Sequence, residues 1–107
     1  LNISNEQMRY TFETNIFSFF YLTKAVLPFM KENSSIINTT SITAFEGKKN
    51  LIDYSSTKGA ITVFTKSLAL SLAEKKIRVN AVAPRTYLDT FNPIFFFSKR
   101  SRSIWYR

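Results

Sequence analysis

Residues 35–84, "SIINTTSITAFEGKKNLIDYSSTKGAITVFTKSLALSLAEKKIRVNAVAP", alternate between two kinds of hydrophobic pattern. The segment from Ser35 to Thr40 is β-branched and apolar, which predicts a short strand, and "IRVNAVAP" predicts a second strand that Pro84 ends. The segment between them predicts a helix from about Tyr54 to about Lys75, after the loop "AFEGKKNLI". Two strands separated by a helix indicate parallel pairing through a right-handed crossover. The helix has an apolar stripe at Ile61, Phe64, Leu68 and Leu72.

The residues before this unit predict one long amphipathic helix from about Asn5 to about Lys31. Ser4 and Gln7 have the spacing of a capping box, in which each side chain bonds the other residue's backbone. Pro28 is expected to bend the last turn. In the second helix, Asp53 is expected to act as the cap. Apolar residues recur every three or four positions in the first helix: Met8, Phe12, Ile16, Phe19, Phe20, Thr23, Val26, Leu27 and Met30.

The predicted fold class is α/β, a partial doubly wound sheet with two long helices and two parallel strands. Two strands leave both edges of a sheet and most of its faces open, so we expect a poor core for this chain alone. We predict one incomplete domain over residues 1–84 and a separate tail over residues 85–107.

Composition excludes several classes of function. The chain has no cysteine and no histidine, which removes thiolate chemistry, disulfides and the commonest zinc ligands, so no metal site is predicted. The first residues do not resemble a signal peptide, and no apolar run is long enough to span a membrane. We therefore expect a cytoplasmic protein whose proton transfers use tyrosine, lysine or carboxylate groups.

Tyr54 and Lys58 are four residues apart in "DYSSTKGA" and share one face of the second predicted helix. A nearby ammonium favours the phenolate form of tyrosine, which makes the phenol a better acid–base catalyst near neutral pH. This spacing also occurs in helices where the two side chains are merely solvated neighbours. The pair alone therefore leaves both interpretations open.

Two further polar residues occupy positions that favour a site. Ser41 follows directly after the first strand, and ligands bind at the carboxyl ends of strands in open α/β sheets. Asn15 lies within the first helix, where an amide is unfavourable unless it has a partner. Taken singly, Ser41 could simply end the strand and Asn15 could bond a backbone carbonyl.

The four segments "NIFSFFYLTKAVLPFM", "SIINTTSITAFEG", "DYSSTKGAITVFTKSLALSLA" and "IRVNAVAP" together resemble the short-chain dehydrogenase/reductase family. The sequences of these segments are most similar to those of bacterial glucose-dehydrogenase-like and general-stress oxidoreductases. The resemblance implies that Tyr54 exchanges a proton with an alcohol or carbonyl oxygen and that Lys58 lowers the pKa of this tyrosine. It implies that Ser41 orients the substrate oxygen and that Asn15 holds a water of a proton relay.

The resemblance also implies an oxidoreductase that uses NAD or NADP on a small alcohol or carbonyl substrate. Tyr54, Lys58 and Pro84 would contact the cofactor, and the two long helices would pack against a second subunit. The family begins with a glycine-rich turn that binds the pyrophosphate. The only glycines here are Gly47 and Gly59, so we expect the chain to be inactive alone and to bind no cofactor by itself.

The tail over residues 85–107 differs in composition from the rest. Residues 1–84 carry a net charge of +4, and the last 23 residues carry another +4 together with seven of the aromatic residues. After "NAVAP" the resemblance implies Gly-Pro-Ile-Trp-Thr-Pro. The codons AGG ACC TAT TTG GAC ACC TTT AAT CCC would encode residues 85–93, and skipping their first base gives Gly-Pro-Ile-Trp-Thr-Pro-Leu-Ile. We therefore expect a frameshifted, disordered tail.

The alternative function is binding of nucleic acid or an anionic surface by this basic aromatic tail. Its charges do not lie on a patterned helix face, so nucleic-acid and membrane partners are not predicted. Deletion of residues 85–107 discriminates the two functions, because it would abolish only the binding of nucleic acid.

Overall fold

The computed structural model of the chain describes residues 1–84 and two short strands beyond them. The helices are α1 (Asn5–Phe12), α2 (Ser18–Val26), α3 (Thr43–Glu46) and α4 (Ile52–Ser71), with a π-helical turn (Glu13–Phe17) between α1 and α2 and a 3₁₀ turn (Leu27–Phe29) after α2. The strands are β1 (Ser35–Thr39), β2 (Arg78–Ala83), β3 (Phe95–Phe97) and β4 (Ile104–Tyr106).

The sheet has the order β1-β2-β3-β4. β1 and β2 pair in parallel, with Ser35 opposite Arg78 and Thr39 opposite Val82, and α4 lies between them in the chain. This confirms the predicted parallel unit of an α/β fold. β3 and β4 add two antiparallel strands that the sequence analysis did not predict.

β3 and β4 both belong to the tail. The other residues of the segment 85–107 lie outside the described part of the chain. The predicted boundary at residue 84, the disorder and frameshift of the tail, and its binding of anionic partners therefore stay predictions.

The first predicted helix is not continuous. Ser4 caps it as expected, since its hydroxyl oxygen accepts a hydrogen bond from the Gln7 backbone N–H at 3.0 Å. A π-helical turn then interrupts it at residues 13–17, and it ends in a 3₁₀ turn that contains Pro28. The 3₁₀ turn that contains Pro28 ends the helical segment at Phe29, shortly before the predicted end at about Lys31, because a proline disrupts the regular hydrogen bonding. The bend at Pro28 stays a prediction.

The second predicted helix is shifted toward the N-terminus. α4 begins at Ile52, so Asp53 lies inside its first turn and the prediction that Asp53 caps the helix was wrong. The helix ends at Ser71 rather than Lys75. Lys76 adopts a left-handed conformation with φ 57°, which reverses the chain toward β2. Part of the loop predicted after β1 is also the short helix α3.

The buried core lies between α4, the sheet and the end of α2. Its buried members are Ala69, Leu72, Ile77 and Val79, and Leu27, Met30, Ile36 and Leu68 pack against them. Ile61 is fully buried. The predicted stripe of α4 is thus confirmed at Ile61 and Leu72, whereas Phe64 and Leu68 are only partly buried.

Polar side chains share the buried face of α4. Thr57, Thr62 and Thr65 are buried, as is Asp53. Thr65 accepts a hydrogen bond from the Asn38 side-chain amide at 2.9 Å and donates to the Ile61 carbonyl oxygen at 2.8 Å. This helix therefore attaches to β1 through hydrogen bonds as well as through apolar contacts.

The apolar stripe of the first helix is mostly not buried. Only Ile16 is, whereas Met8, Phe20 and Val26 are exposed. No helix in the described part of the chain is long and apolar enough to cross a membrane.

Candidate functional site

The carboxyl ends of the two parallel strands meet at one edge of the sheet. The Thr40 backbone N–H donates to the Val82 carbonyl oxygen at 2.8 Å, and the Ile42 N–H donates to the Pro84 carbonyl oxygen at 3.2 Å. Ser41 lies between these two bonds and is 6% exposed. Its hydroxyl oxygen accepts from the Thr43 N–H at 3.3 Å, so the turn that begins α3 orients the hydroxyl.

Tyr54 and Lys58 lie on successive turns of α4. The Lys58 Nζ is 5.4 Å from the centroid of the Tyr54 ring, a distance at which a cation is attracted to an aromatic face. Both residues are partly buried. Burial lowers the pKa of the Lys58 ammonium, because desolvation disfavours its charged form. The pair is therefore only partly exposed to solvent.

Thr40, which lies between the end of β1 and Ser41, connects this part of the chain to the helix turn that carries Lys58. The buried Thr40 hydroxyl donates to the Lys58 carbonyl oxygen at 2.7 Å and lies 3.0 Å from the Thr62 hydroxyl. Thr62 itself donates to the same carbonyl oxygen at 3.0 Å. These contacts place the backbone of Lys58 beside Thr40, the residue that precedes Ser41.

Asn15 lies in the π-helical turn and has the partner that its position in the helix requires. Its Nδ2 donates to the Thr57 hydroxyl oxygen at 3.2 Å. The Thr57 hydroxyl donates in turn to the Tyr54 carbonyl oxygen at 2.6 Å. Turns of π-helix are frequent at functional sites. The amide is thus attached to the helix turn that joins Tyr54 to Lys58.

Asp53 has a role that the sequence analysis did not predict. Its Oδ2 accepts from the Thr11 hydroxyl at 2.9 Å, and its Oδ1 accepts from the Tyr54 N–H at 2.9 Å. The Gln7 side chain also favours the charged form of this carboxylate. The hydrogen bond from Thr11, followed by those from Tyr54 and Gln7, lowers the pKa of Asp53 against an opposing effect of burial.

This lowered pKa predicts how stability depends on pH. A carboxylate whose pKa is depressed in the folded state stabilises that state above its ordinary pKa of about 3.9, and the contribution is lost as pH falls through the folded value. We therefore expect the free energy of unfolding of the chain to exceed that of Asp53→Asn by an amount that shrinks below about pH 4. Urea unfolding between pH 7 and pH 2 measures it.

Thr11→Val provides the matched variant for this experiment. It removes the hydroxyl that makes the largest contribution to the low pKa of Asp53. In a chain that carries Thr11→Val, the loss of stability caused by Asp53→Asn should therefore become smaller and less dependent on pH. Stability curves of the unmodified chain and Asp53→Asn that stay parallel down to pH 2 would contradict the assignment.

The sequence analysis did not predict the polar contacts of Thr11, Thr40 and Thr57. A signal was present in the threonines of α4, since Thr57, Thr62 and Thr65 recur at helical spacing beside Ile61. Such a row on a buried face indicates hydrogen bonds to neighbouring elements, but the spacing does not identify the partners.

Buried hydroxyl groups next to the predicted site residues lack a partner within the described chain. They are Thr43 Oγ1, two residues after Ser41, and Ser55 Oγ, the neighbour of Tyr54. An unpaired buried hydroxyl is costly and is commonly satisfied by a bound molecule. The surroundings of Ser41 and Tyr54 therefore fit a polar ligand. Among the described residues, no group of acidic side chains could hold a metal ion.

The sequence matches the family model described as "short chain dehydrogenase" over residues 1–93. It is 68% identical over 84 residues to the uncharacterized oxidoreductase YhdF of Bacillus subtilis, an alignment that covers 78% of this chain and 29% of YhdF. The chain thus spans less than a third of the length of that curated relative.

Two solved structures from Brucella melitensis superpose on the chain. A short-chain dehydrogenase described as a glucose/ribitol dehydrogenase has a TM-score of 0.74 at 38% identity, covering 78% of this chain and 34% of its own. A 3-ketoacyl-(acyl-carrier-protein) reductase complexed with NADH has a TM-score of 0.74 at 32% identity, covering 78% of this chain and 37% of its own. With its parallel β1–α4–β2 unit and the match over residues 1–93, the chain belongs to the short-chain dehydrogenase family.

Proposed function

We propose that this chain carries the proton-transfer residues of an NAD(P)-dependent oxidoreductase that interconverts a small alcohol and a carbonyl compound. The observation that carries the proposal is the half-buried ammonium of Lys58 at 5.4 Å from the Tyr54 ring, next to the strand end that presents Ser41. A half-buried cation beside a phenol, near the end of a strand, suits a reaction that exchanges one proton with a substrate oxygen.

Each of the four predicted residues has a proposed part in this reaction. Tyr54 exchanges the proton with the substrate oxygen, and the charge of Lys58 stabilises the phenolate that results. Ser41 holds the substrate oxygen by a hydrogen bond. Asn15 supports the helix turn between Tyr54 and Lys58 through Thr57. When bound, the nicotinamide supplies or accepts the hydride.

The residues present fit the nicotinamide end of the cofactor. Pro84 follows β2 and accepts a hydrogen bond from Ile42, the backbone of Lys58 bonds Thr40 after β1, and the unpaired Ser55 hydroxyl neighbours Tyr54. The complex of the Brucella reductase with NADH supports the use of a nicotinamide cofactor in this family. Neither glycine of this chain forms a phosphate cradle, since Gly59 lies inside α4 and Gly47 ends α3.

We propose that the chain is inactive by itself because the rest of the cofactor site belongs to sequence that its longer relatives possess. The second edge of β1 carries no strand within the described part of the chain, and Ile37 on this strand is 68% exposed. Inner strands of a parallel sheet are apolar, paired at both edges and covered on both faces. The open edge of β1 and its exposed isoleucine therefore suit an inner strand whose neighbour and cover come from other sequence.

We also retain the cytoplasmic location as a prediction.

A chimera tests the proposed function. The matching segment of YhdF is replaced by residues 1–84, and turnover is followed through nicotinamide absorbance with glucose, ribitol and simple aldehydes. We expect the chimera to act on the substrates of its parent, and the 107-residue chain alone to show no turnover. A folded chimera without activity, from an active parent, would contradict the proposal.

The exposed apolar residues of the two long helical segments favour self-association, and we propose that they pair with a second copy. Leu70 on α4 is 73% exposed, and Phe20 and Leu22 on α2 are 47% and 65% exposed. Exposed apolar residues in such number favour an interface. We expect light scattering to give twice the monomer mass for the chain and a lower mass for Leu70→Glu. A monomer at micromolar concentration would contradict this assignment.

A further inference from the structure

We call residues 5–29, from α1 to the 3₁₀ turn, the first helical segment. Two hydrogen bonds join this segment to α4 with the same offset in sequence. Thr11 bonds Asp53 and Asn15 bonds Thr57, and both pairs are 42 residues apart. An equal offset at two points one turn apart means that the two helices run in the same direction here. We name the pair Thr11–Asp53 the first rung and the pair Asn15–Thr57 the second rung.

Each rung ends on the residue immediately before a residue of the proposed site. Asp53 precedes Tyr54, and Thr57 precedes Lys58. Both rungs also hold the backbone of Tyr54 directly. The Asp53 carboxylate accepts from the Tyr54 N–H at 2.9 Å, and the Thr57 hydroxyl donates to the Tyr54 carbonyl oxygen at 2.6 Å.

Apolar packing between the first helical segment and α4 is limited. α1 and α2 have no buried residue, and the π-helical turn has only Ile16, next to the second rung. Farther from the site, Phe19 and Phe20 contact Phe64, with ring centroids 6.5 Å and 4.6 Å apart. The rung residues of α4 are themselves buried, Asp53 at 9% and Thr57 at 0% exposure. At the site end, the two hydrogen bonds therefore act together with Ile16 in placing the helices.

We propose that Asp53 and Thr57 are positioning residues, which hold Tyr54 and Lys58 against the first helical segment through the two rungs. The importance of these two residues for catalysis rests on the proposed function. The experiment that tests their positioning role does not. Loss of a rung lets the first turns of α4 move away from Asn15 and exposes the Lys58 ammonium to water.

The titration of Lys58 in the full chain tests the proposal without cofactor or substrate. Its ammonium is partly buried, and burial lowers its pKa. In ¹³C-lysine-labelled protein, the ε-carbon signal of Lys58 is assigned through its loss in Lys58→Arg. We expect Thr57→Val to move the Lys58 midpoint upward, toward the ordinary lysine value of about 10.4. Asp53→Ala should move it in the same direction.

Conservative and distant variants separate positioning from general stability. Thr57→Ser keeps the hydroxyl and should keep the lowered midpoint. Thr65→Val removes an equally buried hydroxyl from the same helix, away from both rungs. It should lower the stability of the chain and leave the Lys58 midpoint unchanged.

Two results would overturn the proposal. One is an ordinary Lys58 midpoint in the unmodified chain, whether the chain is folded or not. The other is an equal shift in Thr57→Val and Thr65→Val, since that would reflect loosening of the whole helix. None of these titration measurements depends on turnover. An inactive chimera would therefore contradict the proposed oxidoreductase function but not the positioning role of the rungs.

Discussion

Replacing Tyr54 with phenylalanine is expected to abolish almost all turnover of the YhdF chimera. The substitution keeps the ring beneath the Lys58 ammonium and removes only the hydroxyl that exchanges the proton. A positioned acid or base contributes about 10²–10⁴-fold to the rate, so kcat should fall by that factor. Steady-state kinetics measure kcat, and titration with the reduced nicotinamide measures cofactor affinity, which should change little.

Tyr10→Phe is the matched control for this substitution. Tyr10 lies on α1 and is 72% exposed, so its hydroxyl has no part in the proposed reaction. The control should retain the kcat of the chimera. If Tyr54→Phe also keeps kcat within about threefold, a factor far below the range for general acid–base catalysis, the assignment of Tyr54 is wrong.

The second large effect concerns stability. Ile61 is fully buried on the face of α4 that also carries Thr57 and Thr65, and α4 is the helix on which Tyr54 and Lys58 lie. Ile61→Ala removes apolar contacts and leaves a cavity, which costs about 2–5 kcal/mol for aliphatic residues in a core. We expect the free energy of unfolding of the full chain, measured with urea, to fall by an amount in this range.

Leu70→Ala, on the same helix, is the comparison for Ile61→Ala. Leu70 is 73% exposed, so its truncation should change the free energy of unfolding by no more than about 0.5 kcal/mol in the monomer. Equal losses for the two variants would show that α4 does not pack against the sheet as the structure has it. Low protein concentration keeps self-association from contributing.

The catalytic candidates were predictable because they stand in a sequence pattern that one family shares. The relation of Tyr54 to Lys58 follows from helical spacing alone, and Ser41 follows from the end of an apolar strand. Their burial and their contacts did not follow. The capping prediction for Asp53 failed because α4 begins at Ile52, and the bond of its carboxylate to Thr11, which is distant in sequence, was not foreseen.

The extent of the helices was only approximately predictable. Hydrophobic spacing marks a helix but does not distinguish an α-helical from a π-helical turn, so the interruption around Asn15 was not foreseen. The predicted apolar stripe of the first helix is likewise real as a pattern, but most of its residues are only partly buried. Burial depends on which surface lies opposite, and local spacing carries no information about that surface.

The sequence by itself determined the α/β class, the parallel β1–α4–β2 unit and the exclusion of cysteine and histidine chemistry, because periodicity and composition are local properties of a chain. Only the tertiary structure decided that Asp53 and Thr57 bind the first helical segment, and that Thr40 ties its strand to the Lys58 turn. Such bonds join residues far apart in the chain, so they form only once packing has set the distance between two elements.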